Sequence, residues 1–322
     1  MLAPSLVNAE ALRRQRLLNW LQSAVLLLGL LALAAISGAL FAGAEGVIIA
    51  AAIASLFLVL NPVSGEVLFQ YVYGAVPLTP ASAPRLSALV SELARRAELR
   101  RTPTLFLIPA PVLQAMASGS REAPAIGVTS GLLQTMSSRE LTAVLAHEIS
   151  HIRHGDMFVM RLAVGAGSMT RAMSTAGMFL LIAYFPVFWS TGVSLSPIAI
   201  ALLVAAPTVS DLLELSLSRS REFLADAGAV ELTGDPPALA RAIERIEAIQ
   251  GDDWERFTAR GGRWLRWFRT HPTAAERIER LNAMVAPPRS ALPGGSWSES
   301  PSGLPHNAHQ ALGRRLVRRA LL

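Results

Sequence analysis

The sequence contains no cysteine. That excludes a disulfide framework and any metal site built on thiolates. It contains no lysine either, so all 29 basic residues are arginine. Charge is scarce overall: charged residues make up 16% of the 322 positions, against 52% apolar. Soluble domains carry about 25% charged residues, so this composition points to membrane segments. The length suits one large or two small domains. A formal net charge of +6 would fit nucleic acid, but the arginines are dispersed and several flank apolar runs. Basic residues on the cytoplasmic side of membrane spans show that pattern, and no nucleic-acid partner is expected. Histidine is rare too, and three of the six fall between 147 and 154.

The missing charge is concentrated in a few runs. Residues 1–16 form a polar start ending in Arg13, Arg14 and Arg16, which places the N-terminus in the cytoplasm. Leu17 to Ala44 carries no charge, and after Glu45 neither does Gly46 to Gly65. The first run exceeds the usual core of a cleavable signal peptide, which favours a retained span over cleavage at the small-residue sites near Ala42. Residues 17–65 therefore read as a helical hairpin turning near Gly43–Gly46. A third charge-free run, Ala172 to Ser210, is broken by Pro186, Gly192 and Pro197. It reads as a second hairpin within 171–210, spanning the membrane, with helices that only dip into it or a buried core pair as the alternatives, and both its ends lie on one side.

The hairpins separate soluble stretches at 66–170 and 211–285. In the first, Leu86, Leu89, Val90, Leu93 and Ala97 share a helix face. Thr104–Ile108 and Pro124–Thr129 read as strands. Gly127 in the second fits either a bulge or a close backbone approach. Ser137-x-x-Glu140 is a capping box. It opens a helix carrying His147-Glu148-x-x-His151, with Leu141, Val144, Leu145 and Ile152 in helical register. Positions i and i+4 lie about 40° apart around the axis, so two imidazoles grip one metal ion from the same side. Glu148 sits where it polarises a metal-bound water, the zinc-hydrolase arrangement. His154 shares that side but lies two turns along, too far to join. The charges at Arg139, Glu140, Arg153, Asp156 and Arg161 keep this segment out of the bilayer centre.

A zinc ion held by two histidines needs a third protein ligand and an open position for water. Glu222 suits that role in Ser218-Arg219-Ser220-Arg221-Glu222-Phe223-Leu224-Ala225-Asp226, a helix ending at Gly234. Asp226, one turn on, is placed to orient a ligating imidazole, and Asp156 is a second supporting carboxylate. Without the histidine motif both residues of the 218–226 helix would read as a solvated face. The strand residues Ile126, Gly127, Val128 and Thr129 are expected to bind substrate backbone by strand addition. Trp254 and the Trp/Arg-interleaved 263–269 suit either a membrane interface or packing. Residues 286–322 read as a disordered tail ending in a basic segment. His306 and His309 in it are not read as ligands.

These residues resemble the HtpX-type membrane zinc metalloproteases, relatives of the CAAX prenyl proteases. The likeness covers about residues 70–285 and rests on four ordered pieces. They are Gly131-Leu132-Leu133, L-A-H-E-I-S-H-I-x-x-G-D at 145–156, S-R-x-R-E-F-x-A-D at 218–226 and H-P-T-x-x-E-R at 271–277. The resemblance implies a mainly α fold with a small β-sheet, an α+β gluzincin-like domain carried on transmembrane hairpins. It implies one Zn2+ per chain on His147, His151 and Glu222, and Glu148 as base. Asp226 would support the site, and His271 and Arg277 would lie near it, where a cationic pair could meet an oxyanion. It further implies a multi-pass inner-membrane protein with its catalytic domain in the cytoplasm, acting on unfolded or membrane proteins. A narrow prenyl-protease-like peptidase and an inactive scaffold are the alternatives. Where relatives often carry N-A-F-x-x-G, this chain reads Gln114-Ala115-Met116-Ala117-Ser118-Gly119, which bears on how substrate is held.

Overall fold

The structure is a computed structural model and describes residues 8–60, 65–191, 196–261 and 272–285. The chain divides at residue 286, and the described residues belong to the part before it. The expected tail and the segment 263–269 lie outside the described residues, as does the side chain of Trp254.

Three long helices form the apolar part. α1 (Ala9–Leu60) is not straight. Gly43 has a left-handed φ of +62°, and a β-carbon on Gly38 would stand 2.6 Å from the carbonyl oxygen of Gly46. Residues eight apart in a straight helix rise about 12 Å, so the chain doubles back at Gly43. The soluble segment after it opens with β1 (Val76–Leu78) and α2 (Pro84–Arg96). β2 (Thr104–Ile108), β3 (Ala115–Gly119) and β4 (Pro124–Thr129) follow, then the short α3 (Ser130–Thr135). α4 (Ser138–His154) and α5 (Asp156–Ala183) are separated by Gly155 alone. After α6 (Phe185–Thr191) comes α7 (Pro197–Thr233), then α8 (Pro236–Gly261) and α9 (Ala274–Ala283).

The sheet is small and mixed, in the order β1-β2-β4-β3. β2 and β4 are parallel, with Leu105 opposite Ile126. β1 and β3 pair antiparallel at the two edges. Side chains alternate between faces. Leu105, Ile126 and Val128 join the main core with Leu145 and Ile149 of α4. Phe106, Ile108 and Ala125 pack with Phe69 on the other face. Gly127 belongs to this arrangement: it pairs regularly with Phe106 and Met116, and a β-carbon there would stand 2.6 Å from the Phe69 ring. It makes room for an aromatic side chain, not for substrate.

α1, α5 and α7 pack together through small and aliphatic residues, Leu30, Ala34, Ala163, Ala166 and Leu217, as helices do in lipid. Polar contacts stitch the same interfaces. Ser23 and Ser220 hydroxyls are 2.9 Å apart, and Arg171 pairs with Asp211 at 2.6 Å and Glu214 at 3.1 Å. Ala9–Ala39 and α7 are long and apolar enough to cross a membrane. The α5–α6 pair, bent by 50°, makes a third span if it is taken as one. The apolar run beginning at Ala172 is thus the end of one helix and the start of another, both continuous with the helices around the site.

Candidate metal centre

The site begins with the start of α4. Ser137 Oγ accepts from the Glu140 N–H, and Glu140 Oε2 accepts the Ser137 N–H at 2.8 Å. This reciprocal cap sets the helix phase eleven residues ahead of Glu148, and the buried Glu140 also meets Arg245 at 3.2 Å. That phase turns His147, Glu148 and His151 onto one face. The helix stops at Gly155, whose φ of +69° a residue with a β-carbon rarely adopts.

α7 supplies the opposite wall. Its C-terminal half lies against α4 because Gly228 lacks a side chain: a β-carbon there would stand 2.0 Å from Ser150 Oγ. This approach brings Glu222 to the two histidines. One ligand atom from each of His147, His151 and Glu222 lies within 4.8 Å of the others. The two Nε2 atoms are 3.1 Å apart, and Glu222 oxygens lie 3.5 Å from His147 Nε2 and 3.8 Å from His151 Nε2. Ligands at about 2.0–2.1 Å around a tetrahedral zinc stand roughly 3.3 Å from one another. The donor set therefore fits a small divalent metal in type and in spacing.

Each ring is turned from behind. His147 Nδ1 lies 3.0 Å from Asp226 Oδ1, and His151 Nδ1 lies 2.5 Å from Asp156 Oδ2. A carboxylate at Nδ1 places the imidazole proton there and leaves Nε2 for a metal. Without metal, the two rings divide their proton affinity. Burial opposes a charge on His147, but hydrogen bonds to Asp226 and Glu222 prevail and hold its pKa up at about 10. Burial and the neighbouring His147 push His151 down to about 4.

Arg277 of α9 donates to Asp226 from Nε at 2.8 Å and Nη2 at 2.6 Å, and its Nη1 lies 3.6 Å from Glu222. The cation expected near an oxyanion thus pairs with Asp226 behind His147 and approaches the ligand Glu222, and it lines the same cavity as the histidines. His271 lies outside the described residues. His154 points away, with Nδ1 3.1 Å from Ser150 Oγ.

The substrate-strand expectation needs correction. Ile126, Gly127, Val128 and Thr129 lie in β4, which is paired on both sides, by β2 and β3, and has no edge left to offer. The sheet edge beside the site belongs to β3, residues 115–119. Thr129 N donates to Gln114 O at 3.0 Å, so by antiparallel alternation Ala115, Ala117 and Gly119 present their backbone groups outward. The Ala117 N–H donates to Glu148 Oε2 at 2.7 Å. β3 runs along a cavity of about 590 Å³ that holds His147, Glu148, His151 and Glu222. Sequence reasoning missed β3 because Ala-Met-Ala-Ser-Gly has no strand-like alternation, and its only signal was the comparison with N-A-F-x-x-G. It also gave Arg221 no role, although Arg221 is buried against Asp156.

Residues 80–285 match peptidase family M48. The chain belongs to that family. It is 31% identical over 287 residues to a protease HtpX homologue of Methylibium petroleiphilum, covering 83% of this chain and 98% of the relative. It is 32% identical over 283 residues to the protease HtpX homologue of Paraburkholderia phytofirmans, covering 83% and 97%. The crystal structure of S. mikatae Ste24p has the same fold, with a TM-score of 0.50 at 19% identity over 84% of this chain and 67% of that one. An M48 peptidase with apolar helices of membrane-spanning length is a membrane metalloprotease, acting on protein substrates.

Proposed function

We propose that this M48 protein is a zinc-dependent endopeptidase that cleaves unfolded or misfolded membrane proteins at the cytoplasmic face of the inner membrane. The observation that carries the reading is the convergence of His147, His151 and Glu222 with Glu148 between them and the open edge of β3. His147, His151 and Glu222 would hold the zinc, which would supply Lewis acidity toward the scissile carbonyl and toward water. Glu148 receives the proton of the attacking water and delivers it to the leaving amine. A substrate strand pairing with Ala115–Gly119 lies beside Glu148 and is held through its backbone, so recognition depends on an extended, unfolded segment more than on sequence. Asp226 and Asp156 hold the two imidazoles, and Arg277 braces Asp226 and Glu222. The orientation follows from Arg13, Arg14 and Arg16 ahead of the first apolar run.

The test is metal content and casein cleavage by the detergent-solubilised protein, wild type against Glu148→Gln. Both bind about one zinc, as a three-ligand site requires, and only the wild type cuts. The Gln variant falls by a factor of about 10² to 10⁴, the span of a lost general base. Zinc in both with cleavage in neither would favour a narrow processing peptidase or a scaffold. No metal in the wild type after zinc is supplied would end this reading.

A further inference from the structure

The two histidines are held alike, each by a carboxylate and then an arginine. Behind His147 stand Asp226 and then Arg277, with the arginine on both carboxylate oxygens. Behind His151 stand Asp156 and then Arg221. Arg221 lies one residue before Glu222 on α7, and Asp156 is the first residue of α5. Both side chains are almost wholly enclosed, at 7% and 5% exposure. Nη2 of Arg221 also donates to the carbonyl of His154 at 3.2 Å, in the last turn of α4.

We propose that Arg221 is a positioning residue of the metal centre. Through Asp156 it sets the ring orientation and tautomer of His151, and through the end of α4 it sets the spacing between His151 and Glu222. This deepens the metalloprotease reading above and rests on it.

The physical case has three parts. A neutral imidazole has one N–H, and the group facing Nδ1 decides where it sits. Asp156 performs this for His151 only while its own oxygens are fixed. A buried carboxylate without a cation is costly and turns toward any donor it can reach. One nitrogen, Nη2, serves both the Asp156 oxygen and the His154 carbonyl; an ammonium restores the charge but on a flexible stem, without the direction that the rigid planar guanidinium gives that nitrogen. Arg221 therefore spans three elements that each bring something to the site: the end of α4, the start of α5 and the ligand-bearing half of α7. A simple strut between helices would make a different prediction. Removing it would lower stability but leave the folded protein's affinity for metal unchanged.

The experiment uses the full chain in detergent, stripped of metal, as wild type, Arg221→Met, Arg221→Lys, Asp156→Asn and the double variant R221M/D156N. Zinc affinity is measured by competition with a chelator, the visible spectrum is recorded after cobalt loading, and the melting temperature of the metal-free form is recorded alongside. Arg221→Met and Asp156→Asn each weaken zinc by about 10- to 100-fold, the usual effect of losing an outer support of a ligand. The double variant is no weaker than the worse single, because the two residues act in series. Arg221→Lys falls between, and the cobalt bands shift in the same order. Wild-type zinc affinity in Arg221→Met, or losses that add in the double variant, would overturn the proposal. If Arg221→Met does not fold, Arg221→Lys and Asp156→Asn make the same comparison. A wild type that binds no zinc sinks the metalloprotease reading itself, whereas a wild type that binds and an Arg221→Met that binds equally sinks only the role of Arg221.

Discussion

The two halves of α7 obey opposite rules on one continuous helix. In the N-terminal half the large apolar side chains are exposed: Ile198 at 73%, Val204 at 57%, Val209 and Leu212 at 42%. In the C-terminal half the polar and charged ones are buried: Ser220, Arg221, Glu222 and Asp226 are all below a tenth exposed. A soluble protein rarely exposes so many large apolar side chains on one helix or buries so many charges side by side. The first half exposes apolar surface because its solvent is lipid, where such exposure carries no penalty. The second half buries charge because α4, α5 and α9 supply a partner for each group, and a buried charge is tolerable only when paired. The lesson is that burial alone does not mark the core of this protein. What matters is which medium, lipid or protein, each side chain faces.

Forcing the buried half apart should have the largest effect. Gly228→Val puts carbon where Ser150 Oγ stands and separates α7 from α4. The expected result is a destabilisation of about 1–3 kcal/mol or more from overpacking, together with loss of zinc binding, read by thermal unfolding and metal analysis. Retained zinc at full affinity would show that the two ligand helices can move apart without consequence.

A charge in the exposed half comes next. At an aqueous surface Val204→Asp would change stability by less than about 0.5 kcal/mol. In lipid it opposes insertion by about 3 kcal/mol. The fraction of protein resisting alkaline extraction from membranes should fall clearly. An unchanged fraction would mean that this face does not meet lipid.

Acidity sharpens the contrast at the ligands. His147 is raised on folding to about 10, from about 6.5 in an unfolded chain. Its contribution is full below pH 6.5 and is lost as the pH climbs through 10. His151 is lowered to about 4, so it removes stability as the pH drops from 6.5 toward 4. Metal-free protein should therefore melt highest near pH 6.5. Zinc displaces these protons, and the loaded protein should lose the decline above that pH. A flat profile in the metal-free form would contradict the opposed shifts.

The smallest effect should come from a charge of the same half-helix that remains partly in water. Glu231 meets Arg16 at 2.7 Å and Arg153 at 3.1 Å, and the three side chains are between a quarter and a third exposed. Arg16→Ala should lower stability by no more than about 1 kcal/mol, measured by denaturant unfolding, and leave zinc binding alone. A loss as large as that of Gly228→Val would erase the distinction between paired burial and surface pairing.

Local chemistry made much of this legible in the sequence. The capping box Ser137–Glu140, the i and i+4 histidines and the stop at Gly155 depend on helix geometry within a few residues, so the chain alone determined them. The same holds for β2, whose apolar run is bounded by prolines, for β4, which opens on one, and for the charge-free runs beginning at Leu17 and Ala172, which fall in helices of membrane-spanning length. The pairing of Glu222 with the histidines was readable because zinc chemistry demands a third ligand of that type.

Only the tertiary structure decided which strand has an open edge. Strand order depends on partners far apart in the chain, and it put Ala115–Gly119 at the edge beside the site and Ile126–Thr129 in the interior. It also decided that Arg277 and Arg221 turn toward Asp226 and Asp156. An arginine's fork pairs with whatever carboxylate folding brings to it, and no periodicity in the sequence records a contact between residues 65 apart, such as Asp156 and Arg221.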